Sequence, residues 1–365
     1  MANKKILFLI HELTMGGAQR VTTTLANEFL EKDYTVHVVL FTKKGELFET
    51  LNKRIVVHYL DVKKVSLGLP KMIKVLLSEQ PDIVFSTITH VTLSLATFIP
   101  FLKLFLKRTI FVMREVSIPS QRIRYIKKAK QKTFLYKRFI LNFDYIVAQS
   151  HFMKEDMVQT YNIKSERISV INNPLNLKNI HDKFNKDEKV PFNSFKTNLL
   201  ATGRLGPEKR FNKLLELMPI LGDDYHLNII GKGPERDNLE KRIGELGIES
   251  QVTLHGEKKN PYVYMRKADI ALLSSEYEGY PNVLLEANAC GTFAIAFACP
   301  GVNDEIIKDG LNGYLVEDNN IEEMAKAIEK YTNLKKNHIE ILKSVDRYQV
   351  QFVVKKYQNL WESKV

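Results

Sequence analysis

Two glutamates and the start of a helix stand close together in the stretch SSEYEGYPNVLLEANACG, residues 274–291. Glu278 lies in a turn marked by Gly279 and Pro281, and Glu286 follows in a predicted helix, with seven residues between the glutamates. An ionised carboxylate only accepts hydrogen bonds, so it suits neighbouring hydroxyl groups on a ribose or pyranose ring. Taken singly, each glutamate is as well explained by the favourable field of a helix start or by solvent exposure.

A basic turn earlier in the chain has the composition of a diphosphate site. In ATGRLGPEKRFNKLLE, residues 201–216, a predicted strand ends at Gly203, Arg204 follows it, and Lys209 lies where a helix begins. Two cations beside the positive end of a helix favour an anionic ligand, although a solvated basic turn has the same composition. The helix after Glu278 is expected to add free backbone N–H groups, those of Asn282, Val283 and Leu284.

Two glycine-rich turns could also approach a ligand. In HELTMGGAQR, Gly16 and Gly17 follow the first predicted strand, and a helix is expected from about Ala18. That is an anion-binding arrangement, although a glycine pair before a helix is more often only a tight turn. In IIGKGPERDNLE, Gly231 and Gly233 are expected to let a strand-to-helix loop pass close to the ligand.

Short β-branched runs alternate with helical segments along most of the chain, which predicts an α/β fold with parallel sheets covered on both faces. Residues 174–196 are polar, rich in Asn and Lys and weakly periodic, so they are interpreted as a linker. The sequence thus predicts two Rossmann-like, doubly wound domains, 1–173 and 174–349. Residues 350–365 have the spacing of an amphipathic helix that could cross back to the first domain. Since ligands bind beyond the carboxyl ends of parallel strands, the loops are expected to face a central cleft.

The net charge of +12 is concentrated in one segment of the 365-residue chain, residues 103–138. Glu115 is the only acid in that segment, whereas twelve residues are basic: Lys103, Lys107, Arg108, Arg114, Arg122, Arg124, Lys127, Lys128, Lys130, Lys132, Lys137 and Arg138. Such a patch favours an anionic partner, which is nucleic acid, a phosphate-bearing substrate or anionic lipid. Because apolar and cationic residues interleave, the basic segment 103–138 is predicted to rest on an anionic membrane surface.

Several features are missing from the sequence. No run reaches the ~20 apolar residues of a membrane-spanning helix, and the apolar run near the N-terminus is shorter than that of a secretory signal. Cys290 and Cys299 lie in apolar surroundings, which indicates buried thiols in a reducing compartment. Neither a Cys and His metal-ligand spacing nor an Asp-x-Asp motif near the loops occurs. The expectation is a cytoplasmic protein with no bound metal.

Five motifs, in this order, resemble the retaining GT-B glycosyltransferases of the family 4-like, group 1 class with its E-x7-E pair. They are GGAQRV, TGRLGPEKRFNKLLE, IIGKGPERDNLE, EYEGYPNVLLEANACG and PGVNDEIIKDGLNGYLVE. The resemblance spans nearly the whole chain, and EGYPNVLLEA is most similar to enzymes that build capsule, O-antigen or lipid-linked saccharides. It implies a hexosyl- or N-acetylhexosaminyl-transferase that uses a nucleoside-diphosphate sugar, with uridine the commonest base. The acceptor would be a lipid-linked saccharide at the inner face of the cell membrane.

The resemblance also implies roles for the candidate residues of the second domain, which would bind the nucleotide sugar. Arg204 and Lys209 would bind the donor diphosphate, and Glu286 would hold the ribose hydroxyls. Glu278 would face the transferred sugar, and the N–H groups of residues 282–284 would meet the distal phosphate or the sugar. The family usually needs no metal, because cations and a helix end carry the leaving-group charge. Both a covalent intermediate on Glu278 and a front-face attack, in which the leaving phosphate accepts the acceptor's proton, fit these residues.

The first domain would bind the acceptor, with Gly16 and Gly17 closing over the diphosphate. One departure from the family concerns a histidine that many relatives carry after the strand TIFVM. Arg114 and Glu115 stand there in this chain, so a histidine-assisted step is not carried over to that position. His90 also follows a predicted strand and is a candidate for the site, although a lone histidine is more often a structural or surface residue.

Three other functions fit parts of the sequence. A nucleotide-sugar epimerase of the same architecture would need no separate acceptor. A basic nucleic-acid-binding protein would use aromatic residues to stack on bases, namely Tyr125, Phe134, Tyr136 and Phe139. No recognised nucleic-acid-binding module surrounds them, and this interpretation leaves the E-x7-E pair unexplained. The third is an inactive sugar-nucleotide sensor. The presence of all four candidate charged residues, Arg204, Lys209, Glu278 and Glu286, weighs against it without excluding it.

Overall fold

Two units make up the protein, which we describe from a computed structural model. The structure describes residues 4–14, 16–124, 129–185, 188–302, 304–334 and 337–362, without the side chains of residues 129, 130 and 132. Unit 1 consists of Met1–Pro174 and Tyr348–Val365, and unit 2 consists of Leu175–Arg347.

Unit 1 is built on a parallel sheet of seven strands in the order β3-β2-β1-β4-β5-β6-β7. The strands are Lys5–Ile10 (β1), Thr35–Leu40 (β2), Val56–Tyr59 (β3), Ile83–Ser86 (β4), Ile110–Arg114 (β5), Tyr145–Ala148 (β6) and Ile168–Val170 (β7). The central strands are buried on both faces, which is why they read as continuous apolar runs instead of alternating ones. The first six strands are predicted by the runs KILFLI, YTVHVVLF, RIVVHYL, DIVFST, TIFVM and DYIVAQS. The three residues of β7 are too few to give a pattern.

Helices cover both faces of this sheet, as right-handed crossovers between parallel strands require. They are Gly17–Glu31 (α1), Val65–Glu79 (α2), Thr89–Phe105 (α3), Pro119–Arg124 (α4), Ala129–Phe139 (α5) and His151–Tyr161 (α6). A further helix, Val350–Glu362 (α14), returns to unit 1 from the end of the chain and packs beside α1. Its buried face includes Trp361, whose ring centroid lies 5.5 Å from that of Phe29.

Unit 2 holds a six-stranded parallel sheet in the order β10-β9-β8-β11-β12-β13. Its strands are Thr197–Thr202 (β8), Tyr225–Ile230 (β9), Val252–Gly256 (β10), Ile270–Leu273 (β11), Phe293–Phe297 (β12) and Gly313–Val316 (β13). Its helices are Leu177–Phe184 (α7), Phe211–Leu221 (α8), Arg236–Leu246 (α9), Tyr262–Lys267 (α10), Asn282–Ala289 (α11), Ile321–Thr332 (α12) and His338–Lys343 (α13). The six strands agree with those that the sequence predicts, in the runs TNLLATG, YHLNIIG, QVTLHG, DIALLSS, TFAIAF and GYLVE.

The predicted linker at 174–196 contains a helix, so that interpretation is wrong for residues 177–184. The side chain of Asn176 caps the start of α7 by accepting a hydrogen bond from the Asn179 N–H at 2.9 Å. The helix buries Ile180. Its apolar face is too narrow, and too diluted by Asn and Lys, to stand out in the sequence.

Each sheet has one place where the strand order reverses, which lies between β1 and β4 in unit 1 and between β8 and β11 in unit 2. Ligands of doubly wound sheets bind beyond the carboxyl ends of the strands at such a switch point. The loops after β8 and β11 carry the predicted charged residues Arg204, Lys209 and Glu278. The fold therefore places these three residues at the edge of unit 2 where a ligand is expected.

The two thiols are buried, as the sequence predicts. Neither Cys290 nor Cys299 is in a disulfide, and burial raises the pKa of Cys299 to about 12. Both therefore stay protonated and behave as small apolar side chains at neutral pH. Among the described residues, no helix combines the length and the apolar character that crossing a membrane requires.

Candidate active site

An ion pair joins the two loops that flank the switch point of unit 2. The ammonium of Lys209 lies 2.5 Å from Oε1 of Glu278, and the same oxygen accepts a hydrogen bond from the Ser275 hydroxyl at 2.6 Å. Both side chains of the pair are largely buried. Because β8 and β11 are neighbours, the loops that follow them meet at one edge, and the structure brings these two predicted residues together.

Backbone hydrogen bonds fix the same two loops to each other. The N–H of Glu276 donates to the Glu208 carbonyl at 2.8 Å, and the Ser274 hydroxyl donates to the Lys209 carbonyl at 2.7 Å. The N–H of Glu278 donates to the Pro300 carbonyl, at 2.9 Å, in the loop after β12. The Lys209–Glu278 pair therefore stands on loops with little freedom to move apart.

Arg210 is a further member of this arrangement, and sequence analysis missed it. Its guanidinium donates to the carbonyls of Ser274 and Ser275 at 2.9 and 2.5 Å, and it pairs with the carboxylate of Asp318. Its planar fork, which presents five donors, can serve several acceptors at once. The sequence shows Arg210 as a second basic residue beside Lys209. It does not indicate that the partners of Arg210 lie 64 and 108 residues further along the chain.

Arg204 lies on the surface near this pair. Its side chain is 67% exposed and contacts Glu208 at 3.2 Å, which is an ordinary i,i+4 pair. The structure therefore places Arg204 in the loop after β8, as predicted, but brings it into no contact with Lys209 or Glu278 among the ion pairs of the described residues.

The glycines of the loop after β9 let backbone approach backbone. A Cβ atom on Gly231 would lie 1.8 Å from the Gly203 carbonyl oxygen, and one on Gly233 would lie 2.3 Å from the Leu205 carbonyl oxygen. The sequence predicts that these glycines let the loop approach a ligand. In the structure they let it approach the backbone of the loop that carries Arg204. The glycines position that loop, and their contact with a ligand stays a prediction.

The start of α11 differs from the prediction. The N–H of Asn282 donates to the Tyr280 carbonyl at 2.8 Å, and that of Leu284 donates to the Pro281 carbonyl at 3.0 Å. The expectation of three free N–H groups is thus wrong for these two, because a tight turn at Pro281 supplies them with acceptors. It stays a prediction for Val283.

Glu286 lies on α11 and is 8% exposed, so the alternative of a solvated helix residue is wrong. A buried carboxylate is costly unless it is paired or hydrogen-bonded. The helix ends at Ala289, and Gly291 follows in the left-handed conformation with φ 80°, which glycine adopts readily just past a helix end.

In unit 1, the glycine pair starts α1 at the switch point. The helix begins at Gly17, one residue before the predicted start, and Gly16 precedes it with φ −103°. A Cβ at Gly16 would meet only the flexible end of the Gln19 side chain at 2.3 Å. The backbone at Gly16 therefore does not itself require glycine.

His90 lies across the same switch point, at the start of α3, against His11 at the end of β1. Their ring centroids are 5.1 Å apart, edge to face. Burial lowers the pKa of His90, and the neighbouring His11 lowers it further. The structure therefore places a neutral imidazole at the carboxyl edge of the unit 1 sheet at pH 7.

Part of the basic segment is buried, so not all of its charges can contact a membrane. Arg114 and Glu115 are each 1% exposed. Glu115 accepts a hydrogen bond from the Tyr136 hydroxyl at 2.6 Å, and the Arg122 guanidinium lies 3.8 Å from it and 5.0 Å from the Tyr136 ring centre. Arg122 also donates to the Tyr161 hydroxyl at 2.6 Å. These charges hold α4 and α5 to the sheet, because a buried carboxylate needs such partners.

The surface of the same segment is apolar as well as basic. Phe101, Leu104 and Phe105 are exposed at the end of α3, and Phe134 and Leu135 are exposed on α5, which packs against α3. Lys107, Arg108, Arg124 and Arg138 are exposed in the same segment, whereas Lys103 pairs with Asp144 at 2.5 Å. Tyr125, Lys127 and Lys128, and the side chains of Lys130 and Lys132, lie outside the described residues.

Two family models match the chain in succession. Residues 15–179 match "Glycosyltransferase Family 4", and residues 182–346 match "Glycosyl transferases group 1". Together they cover nearly the whole sequence. The chain belongs to the family 4-like, group 1 glycosyltransferases. It is therefore an enzyme, a glycosyltransferase, and the epimerase and nucleic-acid-binding interpretations are set aside.

Relatives and solved structures agree with this assignment. The glycosyltransferase is 29% identical, over 89% of each chain, to the N-acetylgalactosamine-N,N'-diacetylbacillosaminyl-diphospho-undecaprenol 4-alpha-N-acetylgalactosaminyltransferase of Campylobacter jejuni. It is 27% identical, over 78% of each chain, to the capsular polysaccharide biosynthesis glycosyltransferase CapH of Staphylococcus aureus. It is also similar to Anabaena HepE in complex with UDP and glucose, with a TM-score of 0.79 and 20% identity over 99% of this chain and 100% of that one. This last likeness shows the fold, which is GT-B.

One of the aromatic residues named for base stacking is not accessible. Tyr136 is buried in the network with Glu115 and cannot stack on a base. Phe134 is exposed, but it lies among other exposed apolar residues instead of in a basic groove. The apolar surface of α3 and α5 therefore needs another explanation than nucleic acid.

Proposed function

We propose that this glycosyltransferase moves a hexose or N-acetylhexosamine from a UDP-sugar to a hydroxyl of a lipid-linked saccharide, with retention of the anomeric configuration, in the assembly of a cell-surface polysaccharide. The observation that carries the proposal is the Lys209–Glu278 pair at the switch point of unit 2. It puts a cation and a hydroxyl-accepting carboxylate side by side, where a sugar and its diphosphate would lie next to each other.

Lys209 would bind the diphosphate. An ammonium group has three N–H donors, and the bond to Glu278 uses one of them. As the bond between sugar and phosphate breaks, negative charge grows on the distal phosphate, and a cation already held in place stabilises that charge without reorganisation. Arg204 would reach the same diphosphate from the flexible surface position that it occupies in the structure.

Glu286 and the N–H of Val283 would complete the part of the donor site that lies in unit 2. Glu286 would accept hydrogen bonds from the ribose hydroxyls, since an ionised carboxylate only accepts such bonds. Val283 would donate its N–H to the distal phosphate or the sugar. In unit 1, the close approach of an anionic ligand to Gly16 and Gly17 would explain the absence of side chains there, because the local backbone does not require glycine at position 16.

Glu278 would orient the sugar and Lys209, and would not attack the anomeric carbon. One of its oxygens already accepts two hydrogen bonds, from Lys209 and Ser275. Such bonds stabilise the negative charge and so weaken the carboxylate as a nucleophile. We therefore favour front-face attack, in which the acceptor hydroxyl gives its proton to the leaving phosphate. No covalent glycosyl group is expected on Glu278 during turnover.

The reaction is proposed to need no metal ion. The leaving group would be neutralised by Lys209 and Arg204, which do the work that a divalent cation does in other transferases. Turnover of the chelated enzyme should therefore be unchanged when Mg²⁺ or Mn²⁺ is added. A rate that rises in proportion to added Mg²⁺ would contradict this part of the proposal.

One relative supports retention and a lipid-linked acceptor, and one solved structure supports the UDP donor. The Campylobacter jejuni relative is named for an α-linked product and a diphospho-undecaprenol acceptor, and Anabaena HepE binds UDP and glucose. Common UDP-hexoses are α-linked to their diphosphate, so an α-linked product would retain the configuration of the donor.

Unit 1 is proposed to rest on the inner face of the cell membrane through the surface formed by α3 and α5. The exposed rings of Phe101 and Phe105, with centroids 5.2 Å apart, would enter the boundary between headgroups and acyl chains. Lys107 and Arg108 follow α3 directly and would contact anionic headgroups, each contributing ~1 kcal/mol. The enzyme would in this way meet an acceptor that is itself held in the membrane.

A donor and acceptor panel tests the proposal. The purified chain is incubated with glucose, galactose and their N-acetyl forms linked to UDP, GDP or ADP, with and without a diphospho-undecaprenol-linked saccharide. We expect UDP release that depends on the acceptor, and an α-linked product by NMR. Transfer from GDP-sugars alone would overturn the choice of base. An altered nucleotide sugar formed without acceptor would restore the epimerase interpretation.

A further inference from the structure

Two histidines and a glutamate meet on one face of the unit 1 sheet, away from the loops discussed above. In the parallel pairing of β2 and β3, His37 is opposite Val56 and Val39 is opposite His58. Since side chains alternate between faces with a period of two, His37 and His58 lie on the same face, diagonally across the two strands. This face is the one on which α2 packs, through Met72 and Leu76.

The last residue of α2 brings a carboxylate to the same place. Glu79 follows Leu76 by three residues, so it lies on the helix face that contacts the sheet. Nδ1 of His37 is 3.0 Å from Nε2 of His58 and 3.4 Å from Oε2 of Glu79, and Nε2 of His58 is 3.9 Å from Oε1 of Glu79. Three side chains capable of binding a metal thus form a small triangle, which has an imidazole nitrogen at two corners and the Glu79 carboxylate at the third.

The dimensions of that triangle fit a tetrahedral zinc ion. Zinc lies about 2.0–2.2 Å from imidazole nitrogen or carboxylate oxygen, which places neighbouring ligands of a tetrahedron about 3.3–3.5 Å apart. The three separations in the structure, 3.0, 3.4 and 3.9 Å, lie below, within and above that range, so small side-chain rotations would equalise them. We propose that His37, His58 and Glu79 bind one Zn²⁺ ion, with water in the fourth position.

The surroundings of the triangle suit a metal site as well. His37 is 6% exposed, and a polar side chain buried in a strand interior needs a partner. His58 and Glu79 are partly exposed, which leaves a path for the ion and room for water. Lys5 donates to the carbonyl of Glu79 at 2.7 Å and to its Oε2 at 3.0 Å, and it would hold the carboxylate in place.

The ion would fasten an edge strand of the sheet. β3 has four residues, pairs only with β2 among the described strands, and has two exposed residues, Val56 and Tyr59. A metal bound to β2, β3 and the end of α2 would tie the edge strand to the centre of the unit. The site is therefore structural, and it does not take part in the transfer reaction.

Zinc titration of the untagged full chain, after treatment with a chelator, tests the proposal. Calorimetry should show one equivalent of Zn²⁺ bound to the wild type, and Mg²⁺ should not bind there, because hard cations prefer oxygen ligands. Unit 1 contains Trp361, the single tryptophan of the chain, so its fluorescence reports the unfolding of that unit. The melting temperature should rise with zinc concentration and fall again on chelation.

Variants and hydrogen exchange locate the ion. His58→Gln and Glu79→Gln should each weaken zinc binding more than about tenfold, whereas His181→Gln, in unit 2, should bind zinc as the wild type does. Zinc should slow amide exchange in β3 and leave β10, the edge strand of unit 2, unchanged. If zinc does not bind, or binds equally to His58→Gln, the triangle is an ordinary hydrogen bond between two histidines, and the proposal is wrong. If a variant fails to fold, zinc binding by the wild type and the effect of zinc on amide exchange in β3 still test the proposal.

Discussion

The ammonium of Lys209 lies 2.5 Å from a carboxylate oxygen of Glu278, although the two residues are 69 positions apart in the sequence. The pair forms because β8 and β11 are neighbours at the point where the strand order of unit 2 reverses. Each residue is therefore the other's partner at the edge where a ligand is expected. A diphosphate that binds Lys209 would also meet the group that holds Lys209 in position.

Removing either member of the pair should slow the reaction strongly. Lys209→Met removes a preorganised cation, and we expect a loss of ~10²–10³ in kcat with a UDP-sugar and an acceptor. Glu278→Gln should lose a similar factor. The double variant should be little worse than either single variant, because residues that act as a unit are not additive.

Lys213→Met is the matched control for the Lys209 and Glu278 variants. Lys213 lies on α8, pairs with Glu216 at 3.0 Å, and takes no part in the Lys209–Glu278 pair. Its turnover should equal that of the wild type. Near-normal turnover of both Lys209→Met and Arg204→Ala would show that the diphosphate binds elsewhere.

Most of the fold could be predicted from the sequence because doubly wound sheets leave a plain pattern. Among the described residues, all strands except β7 are four to six residues long, and β-branched or aromatic residues bounded by turns mark most of them. The exceptions are instructive. The three residues of β7 are below the length at which a pattern shows, and α7 buries a single residue, Ile180, within a polar stretch.

The candidate site could be predicted only as far as single loops. The sequence indicates that Lys209 and Glu278 each belong to a strand-end loop, but their contact depends on the strand order, which pairs β8 with β11. Arg210 was missed for the same reason, since its acceptors lie on two distant loops. The His37–Glu79 cluster has no motif spacing, because it depends on the register of β2 and β3 and on the length of α2.

Arg210 should control the position of the loop that carries Glu278. In Arg210→Lys, an ammonium cannot serve both serine carbonyls and Asp318 with the geometry of a guanidinium. We expect a loss of ~1.5–3 kcal/mol in the stability of unit 2 and a higher KM for the donor. Arg210→Ala removes both carbonyl contacts, so it should lower the stability of unit 2 and raise the KM for the donor more than Arg210→Lys does.

Arg236→Lys serves as the control for Arg210→Lys. Arg236 forms an exposed i,i+4 pair with Glu240 on α9 at 2.8 Å, so the same substitution should change stability by less than about 0.5 kcal/mol. Chemical denaturation followed by circular dichroism, together with donor kinetics, compares the two variants. Equal effects of both substitutions would contradict the assigned role of Arg210.

The α3 and α5 surface should bind anionic vesicles. Replacing Leu104 and Phe105 by serine should reduce flotation with both neutral and anionic vesicles, since both side chains are exposed and would enter the bilayer boundary. Replacing Lys107 and Arg108 by glutamine should reduce flotation only with anionic vesicles, by ~1 kcal/mol for each charge. Ile339→Ser, at an exposed residue of unit 2, should have no effect. Equal recovery of the wild type with neutral and anionic vesicles would count against membrane docking by charge.

His255 should make unit 2 less stable in mild acid. Burial, with smaller effects of Lys258 and His226, lowers the pKa of His255 to about 4. The unfolded chain binds a proton at this residue near pH 6.5, whereas the folded state resists it, so stability is present above pH 6.5 and falls as the pH drops towards 4. Because His255 is only half-buried, we discount the effect to about 1 kcal/mol between pH 7 and pH 5. The protection factors of the β9 and β10 amides, which correct for the slower intrinsic exchange in acid, should fall less on acidification in His255→Gln than in the wild type. An identical fall would contradict the assignment.

The return of α14 to unit 1 makes the end of the chain a part of that unit's core. Trp361 is fully buried, where it packs on Phe29 and lies near Tyr357. Trp361→Ala should cost about 3–5 kcal/mol of unfolding free energy, because it removes a large buried side chain and leaves a cavity. Phe352→Ala is the matched control: this ring is 49% exposed on the same helix, so its removal should cost less than about 0.5 kcal/mol. Urea denaturation followed by circular dichroism measures both, and equal losses would show that α14 contributes through its helical backbone instead of through the packing of Trp361.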